Sequence, residues 1–133
     1  MNLDLSALEK AVASLKRAVV RSSPVPGDTE LRDAVIQRFE YTYELCWKML
    51  KRRIELDSPN PAAVDAMSFR ELLREGAERG LITDVEKWII YRDQRNITAH
   101  TYDERKALSV FQTAVVFVED AADLLSILKN RNA

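Results

Sequence analysis

Two arginines, an asparagine, the chain's single histidine and a tyrosine crowd into one short segment, Tyr91-Arg-Asp-Gln-Arg-Asn-Ile-Thr-Ala-His-Thr-Tyr102. His100 can give and take a proton near neutral pH, and arginine is the side chain best shaped to hold a phosphate. Together, Arg95 and His100 read as tools for chemistry on an anionic ester. Asn96 and His100 stand four residues apart and would share a face of an unbroken helix. Arg95 is five residues from His100, about 140° away around an ideal helix. The length of its side chain, a helix end before His100, or a second protomer must bring the pair together. A structural reading competes: histidine is favoured in the last turn of a helix by the macrodipole, Arg92 and Asp93 read as a solvent-facing pair, and Tyr102 can simply pack on the next helix.

The elements around this segment are helical. Leu5, Leu8, Val12, Leu15 and Val19 recur at helical spacing until Arg21-Ser-Ser-Pro-Val-Pro-Gly27 stops them. Asp28 or Thr29 caps a second helix with the apolar stripe Leu31, Val35, Phe39, Cys46, Leu50 and Ile54, ended by Asp57-Ser-Pro-Asn-Pro61. Ser68-Phe-Arg-Glu71 is a capping box flanked by the staple pair Met67 and Leu72, and Gly80 falls where a helix C-terminal glycine belongs. Thr83-Asp-Val-Glu86 reads as a second capping box, opening a helix that runs to about Ala99 or His100. Asp103 or Glu104 starts the last helix, with Leu108, Phe111, Val115, Val118, Ala122, Leu125 and Leu128 as its expected core stripe. No segment reads as a strand. The expected fold is all-α, an antiparallel up-and-down bundle of four to five helices in a single domain over residues 1–133.

Composition narrows the function. The chain has 133 residues, with 20 Lys+Arg against 21 Asp+Glu and a net charge of -1. Bulk charge therefore cannot hold it to nucleic acid or membrane, and any such contact must be a local patch. One Cys and one His give no metal-ligand set, and Gly27, Gly76 and Gly80 stand too far apart for a phosphate loop. Cys46 lies on an apolar face and reads as a buried thiol. The start, MNLDLSALEK, has neither the cationic flank nor the apolar run of a signal peptide or membrane span. A cytoplasmic protein without metal or cofactor is expected.

Arg95-Asn96-Ile-Thr-Ala-His100-Thr-Tyr102 resembles the Arg-x4-His-x-Tyr signature of the HEPN superfamily, in the branch of nucleotidyltransferase substrate-binding proteins and HepT-like toxins. Arg38-Phe-Glu-Tyr-Thr-Tyr-Glu-Leu-Cys-Trp-Lys48 resembles that branch's second-helix pattern. The helical layout and the length agree, so the likeness covers nearly the whole chain. It implies a homodimer paired with a minimal nucleotidyltransferase encoded beside it, with a larger hetero-oligomer as the alternative assembly. In the toxin–antitoxin version, the HEPN chain is a metal-independent endoribonuclease, and its antitoxin partner silences it by transferring AMP to the motif tyrosine. Carried over by position, Arg95 and His100 are the catalytic pair, Asn96 a polar helper and Tyr102 the modified residue. The likeness also suggests that Glu40, Glu44 and Trp47 face the motif helix or the partner.

RNA cleavage without metal needs a base, an acid and cations around the charged phosphorus centre. One chain offers one His, so a symmetric dimer that joins two motif segments in one cleft fits better than a monomer site. Arg92, Lys48 and Arg105, with Lys51, Arg52, Arg53 and Lys106, are candidate contacts for RNA or partner. Their plain alternative is a solvated helix face, with Glu44 and Lys48 as an i,i+4 pair. Two other functions remain open: a non-catalytic subunit that presents substrate to a nucleotidyltransferase, and a helical dimerisation scaffold.

Overall fold

A computed structural model describes residues 2–132. It is helical throughout, with α1 (Ser6–Ser22), α2 (Thr29–Asp57), α3 (Pro61–Asp65), α4 (Phe69–Glu78), α5 (Val85–Ile97), a 3₁₀ turn (Thr98–His100) and α6 (Glu104–Arg131). The four long helices α1, α2, α5 and α6 form the bundle. The Asn132 side chain, beyond the end of α6, bonds both backbone groups of Leu3 at 3.0 and 3.1 Å. Arg32 near the start of α2 meets Glu104 at the start of α6 at 2.7 Å. Hence α6 runs antiparallel to α1 and alongside α2. The short helices α3 and α4 bridge the end of α2 to the start of α5.

Local chemistry explains most boundaries. Asp28 caps α2 by accepting from Leu31 N, and Ser68 caps α4 by accepting from Glu71 N. Gly80 has φ +76° and closes α4 in a Schellman turn, with Leu81 N donating to Gly76 O and Gly80 N to Ala77 O. Two boundaries differ from expectation. The cap of α5 is Asp84, which accepts from Lys87 N, and not Thr83; the first helical residue is Val85, so the residue directly before it is the one placed to reach the N3 donor. The proline-rich stop after α2 also holds the extra helix α3, because Pro61 sits in its first turn, where φ is preset and no N–H is needed.

The core stripes of α1 and α2 follow the expected positions, with Leu8, Leu15, Val35, Phe39, Cys46, Leu50 and Ile54 buried. In α6 the stripe is corrected by one residue over its first half. Ala107, Val110, Ala114, Phe117, Ala121, Leu124 and Leu128 face the core, whereas Leu108 is 52% and Val115 39% exposed. Two adjacent apolar stripes compete along this helix. The one that wins puts Ala107, Ala114 and Ala121 in the core, each fully buried, and leaves the larger Leu108 and Val115 outside. Phe117 fills the centre, with ring centroids of Phe39, Tyr91 and Trp88 at 5.1, 5.0 and 5.8 Å.

Candidate active-site cleft and motif segment

Trp88 and Tyr91 anchor α5 in that aromatic centre, and Arg95 follows them on the same helix face. The Tyr91 hydroxyl donates to the Asp120 carboxylate, which also lies 3.3 Å from Lys87 Nζ, so α5 is fixed in rotation against α6. Burial, and then this carboxylate partner, push the Tyr91 hydroxyl well above its ordinary pKa. With the face set, Arg95 is directed at α2 and stands half-buried, its Nε 2.6 Å from Glu44 Oε1. Its N–H is not aligned with that oxygen, so the contact is an ion pair more than a hydrogen bond.

Around this pair lies a cleft of about 240 Å³, lined by Tyr43, Glu44, Trp47, Phe69, Arg92, Arg95 and Asn96. Three elements build it: α2 gives Tyr43, Glu44 and Trp47, α4 gives Phe69, and α5 gives the two arginines and Asn96. Trp47 and Phe69 pack with centroids 4.8 Å apart, and the Arg92 guanidinium lies 4.3 Å above the Phe69 ring. Such a cation–π contact joins α4 to α5 and holds the Arg92 side chain at the rim. Two arginines against one glutamate leave the lining cationic. Burial pushes the Tyr43 hydroxyl up, with Arg92 partly opposing, and it stays neutral at physiological pH.

Beyond Ile97 the α-helix tightens into the 3₁₀ turn. Thr98 Oγ1 donates to Arg95 O at 2.7 Å and Thr101 Oγ1 to Thr98 O at 3.2 Å. These side-chain bonds compete with the α-helical ladder and help end it. The chain then reaches Asp103, whose carboxylate accepts from Arg105 N and Lys106 N to start α6. The expected shared face of Asn96 and His100 does not survive this break: Asn96 lines the cleft, and His100 stands exposed outside its lining. His100 packs edge-on against Tyr102, with centroids 6.1 Å apart, and Tyr102 is 83% exposed instead of packed on α6. Among the described residues no hydrogen bond or ion pair joins the side chains of Arg95 and His100. Because Asp103 holds both the motif exit and α6, Asp103→Ala should cost about 0.5–2 kcal/mol, read as a lower urea midpoint at unchanged slope.

The remaining candidates divide. Lys48 and Arg105 are exposed and, among the described residues, form no ion pair. Lys51 pairs with Asp65 at 3.1 Å, and the buried Arg53 binds Asp57 at 2.7 Å. That bond holds the Asp57 carboxyl below its ordinary pKa, so the stability it adds at neutral pH is lost as pH falls through the lowered value. The expected Glu44–Lys48 pair gives way to Glu44–Arg95, since the guanidinium arrives from a neighbouring helix in a half-buried site. Phe69 was not legible as a site residue, being read only as the first residue of a capped helix. Cys46 is buried, and burial raises its thiol pKa. No group of three or more His, Cys, Asp or Glu is gathered as a metal-ligand set among the described residues. Nor is any helix among them long and apolar enough to cross a membrane.

A four-helix antiparallel bundle with Arg-x4-His-x-Tyr at the exit of its third long helix defines a HEPN-type protein. The chain belongs to the nucleotidyltransferase substrate binding protein like family, whose model matches residues 3–130. It is 40% identical to a Haemophilus influenzae protein named Probable ribonuclease HepT, over 98% of this chain and 94% of that one. Among solved structures, it resembles a Haemophilus influenzae protein described as having the fold of a substrate binding domain of a nucleotidyltransferase. That match has a TM-score of 0.87 and 39% identity over 95% of this chain and 99% of that one. A Thermus thermophilus protein matches with a TM-score of 0.73 and 29% identity, over 92% and 98% of the two chains.

Proposed function

We propose that this protein is a metal-independent endoribonuclease of the HEPN type, acting as a symmetric homodimer and serving as the toxin of a toxin–antitoxin pair. The observation that carries the reading is the exposed His100 imidazole, free of hydrogen bonds and ion pairs among the described residues, four residues beyond Asn96, which lines a cleft with Arg95 and Arg92. The name of the 40% identical relative, Probable ribonuclease HepT, points the same way.

The chemistry is transesterification. An imidazole takes the proton of a 2′-OH, the 2′-oxygen attacks phosphorus, and the P–O5′ bond breaks as a second imidazole gives its proton to the leaving oxygen. The products are a 2′,3′-cyclic phosphate and a 5′-OH. One chain has one His, so the second comes from the partner protomer across a two-fold axis. Arg95, turned from Glu44 toward the phosphorane, steadies its charge, and Asn96 supports it with a polar contact. Requiring the 2′-OH also selects RNA over DNA. Lys48, Arg92 and Arg105 are the proposed contacts for the flanks of the strand or for the partner.

Silencing follows from Tyr102. Its exposed hydroxyl is available to attack the α-phosphorus of ATP held by a cognate nucleotidyltransferase, with pyrophosphate leaving. The AMP so attached stands two residues from His100 and repels an RNA backbone by like charge. A Tyr102→Phe protein is expected to keep cleaving RNA after incubation with the partner and ATP, while wild type loses activity and gains the mass of AMP. Equal inactivation of both proteins removes this role for Tyr102.

The second reading is a non-catalytic subunit that presents substrate to the transferase. The Glu44–Arg95 ion pair favours it, because an arginine already paired with a carboxylate at 2.6 Å must give up that partner before it can steady a phosphorane. The deciding experiment is RNA cleavage in EDTA by purified wild type and an Arg95→Ala, His100→Ala double variant, with intact mass read on the same samples. Cleavage by wild type alone supports the nuclease. An unmodified wild-type protein that does not cleave supports the binding subunit.

A further inference from the structure

We infer that the cleft between α2, α4 and α5 is a nucleobase subsite, which takes one base of the RNA strand and prefers a base bearing an exocyclic amino group. The inference rests on the reading of this protein as one that handles RNA. Four features carry it. The floor is aromatic, made by Trp47 and Phe69 with centroids 4.8 Å apart. The Arg92 guanidinium carbon lies 4.3 Å from the Phe69 ring centroid, and Arg92 is exposed, so it adds a cationic plane beside the two rings. Aromatic rings and arginine planes are the surfaces on which unpaired RNA bases stack.

The third feature is size. At about 240 Å³ the cleft falls below the roughly 300–1,000 Å³ of sites for larger ligands, which suits one flat ring system. The fourth is the polar rim. Arg95 engages Glu44 through Oε1, which leaves Oε2 as an acceptor, and Asn96 adds both a donor and an acceptor. A carboxylate only accepts, so it welcomes the amino group of adenine, cytosine or guanine, whereas uracil offers it a single N3–H flanked by two carbonyls that it repels. A base seated here leaves its phosphate within reach of Arg95, which lines the same cleft. Fastening α4 to α5 alone would account for the Arg92–Phe69 contact, but it would not account for the second Glu44 oxygen and the Asn96 amide that remain on the rim once Arg95 has paired with Glu44.

The test uses 2′-O-methyl hexanucleotides of A, C or U, which bind but lack the nucleophile for cleavage, titrated against the intact protein by tryptophan emission. Trp88 is buried and Trp47 lines the cleft, so quenching should vanish in Trp47→Phe. The A and C strands are expected to quench at least fivefold more tightly than U, and Glu44→Gln should level that preference. Phe69→Leu and Arg92→Gln should each weaken binding about tenfold, with far-UV circular dichroism unchanged. Absence of quenching, or affinity that ignores both the base and these variants, overturns the subsite. Equal quenching by free AMP and CMP at the same concentration overturns the assignment to an RNA strand in favour of a mononucleotide. A wild type that binds in this way yet never cleaves unmodified RNA keeps the subsite and removes the nuclease; one that cleaves without base-dependent quenching does the reverse.

Discussion

His100→Ala is expected to lower RNA cleavage by about 10²–10⁴-fold, the usual contribution of a positioned acid or base, while leaving the fold intact. The chain has no other histidine to substitute. The side chain is exposed, and its one ring contact among the described residues is with Tyr102, so its loss should change stability by no more than about 0.5 kcal/mol. The measurement is initial cleavage rate in EDTA beside an unfolding curve. A composite dimer site makes a sharper demand: protomers of His100→Ala mixed with wild type should form heterodimers as impaired as the variant itself, because each reaction needs both imidazoles. Full activity in the pure variant would sink the proposed mechanism, and half activity in the mixed dimer would return the site to one chain.

The largest effect on stability is expected from Phe117→Ala, about 3–5 kcal/mol. Phe117 is fully buried and edge-packed against Phe39, Trp88 and Tyr91, so truncation removes its own burial and opens a cavity between α2, α5 and α6. Each lost aromatic pair adds roughly 0.5–1.5 kcal/mol beyond the area term. Against a typical total of about 5–15 kcal/mol, this brings the protein close to unfolding. The same change reaches the site, because Trp88 and Tyr91 set the rotation of α5 and thereby aim Arg95 at Glu44. A urea midpoint that barely moves would show that Phe117 is not the packing centre of the bundle.

Both effects bear on how much could be read before the helices were packed. Apolar periodicity and capping residues act within a few residues, so α1, α2, α4 and the start of α6 were legible from Asp28, Ser68, Gly80 and Asp103. The motif segment was legible too, as the place where the only His meets arginines and a tyrosine, but the exposure of Tyr102 was not. Periodicity could not choose between two neighbouring apolar stripes on α6. That choice turns on which face of α6 docks, and docking buries Ala107 and Ala114 and leaves Leu108 and Val115 exposed.

The composition of the cleft is non-local in the same sense. Phe69 lies 26 residues before Arg95 and belongs to another helix, and only the docking of α4 on α5 puts its ring under Arg92. Glu44 had a lysine at helical spacing, yet a guanidinium from α5 takes it, because a half-buried ion pair is screened less than one on an open helix face. The break after Ile97 is the finest case. Threonine side chains at 98 and 101 help turn the helix into a 3₁₀ segment, which separates His100 from the face of Asn96. Sequence by itself determined the helical class, the cap of α4, the caps of α2 and α6 to within a residue, and the motif. Tertiary structure decided the register of α6, the partner of Arg95 and the separation of His100 from the cleft, because each depends on which surfaces meet when the helices dock.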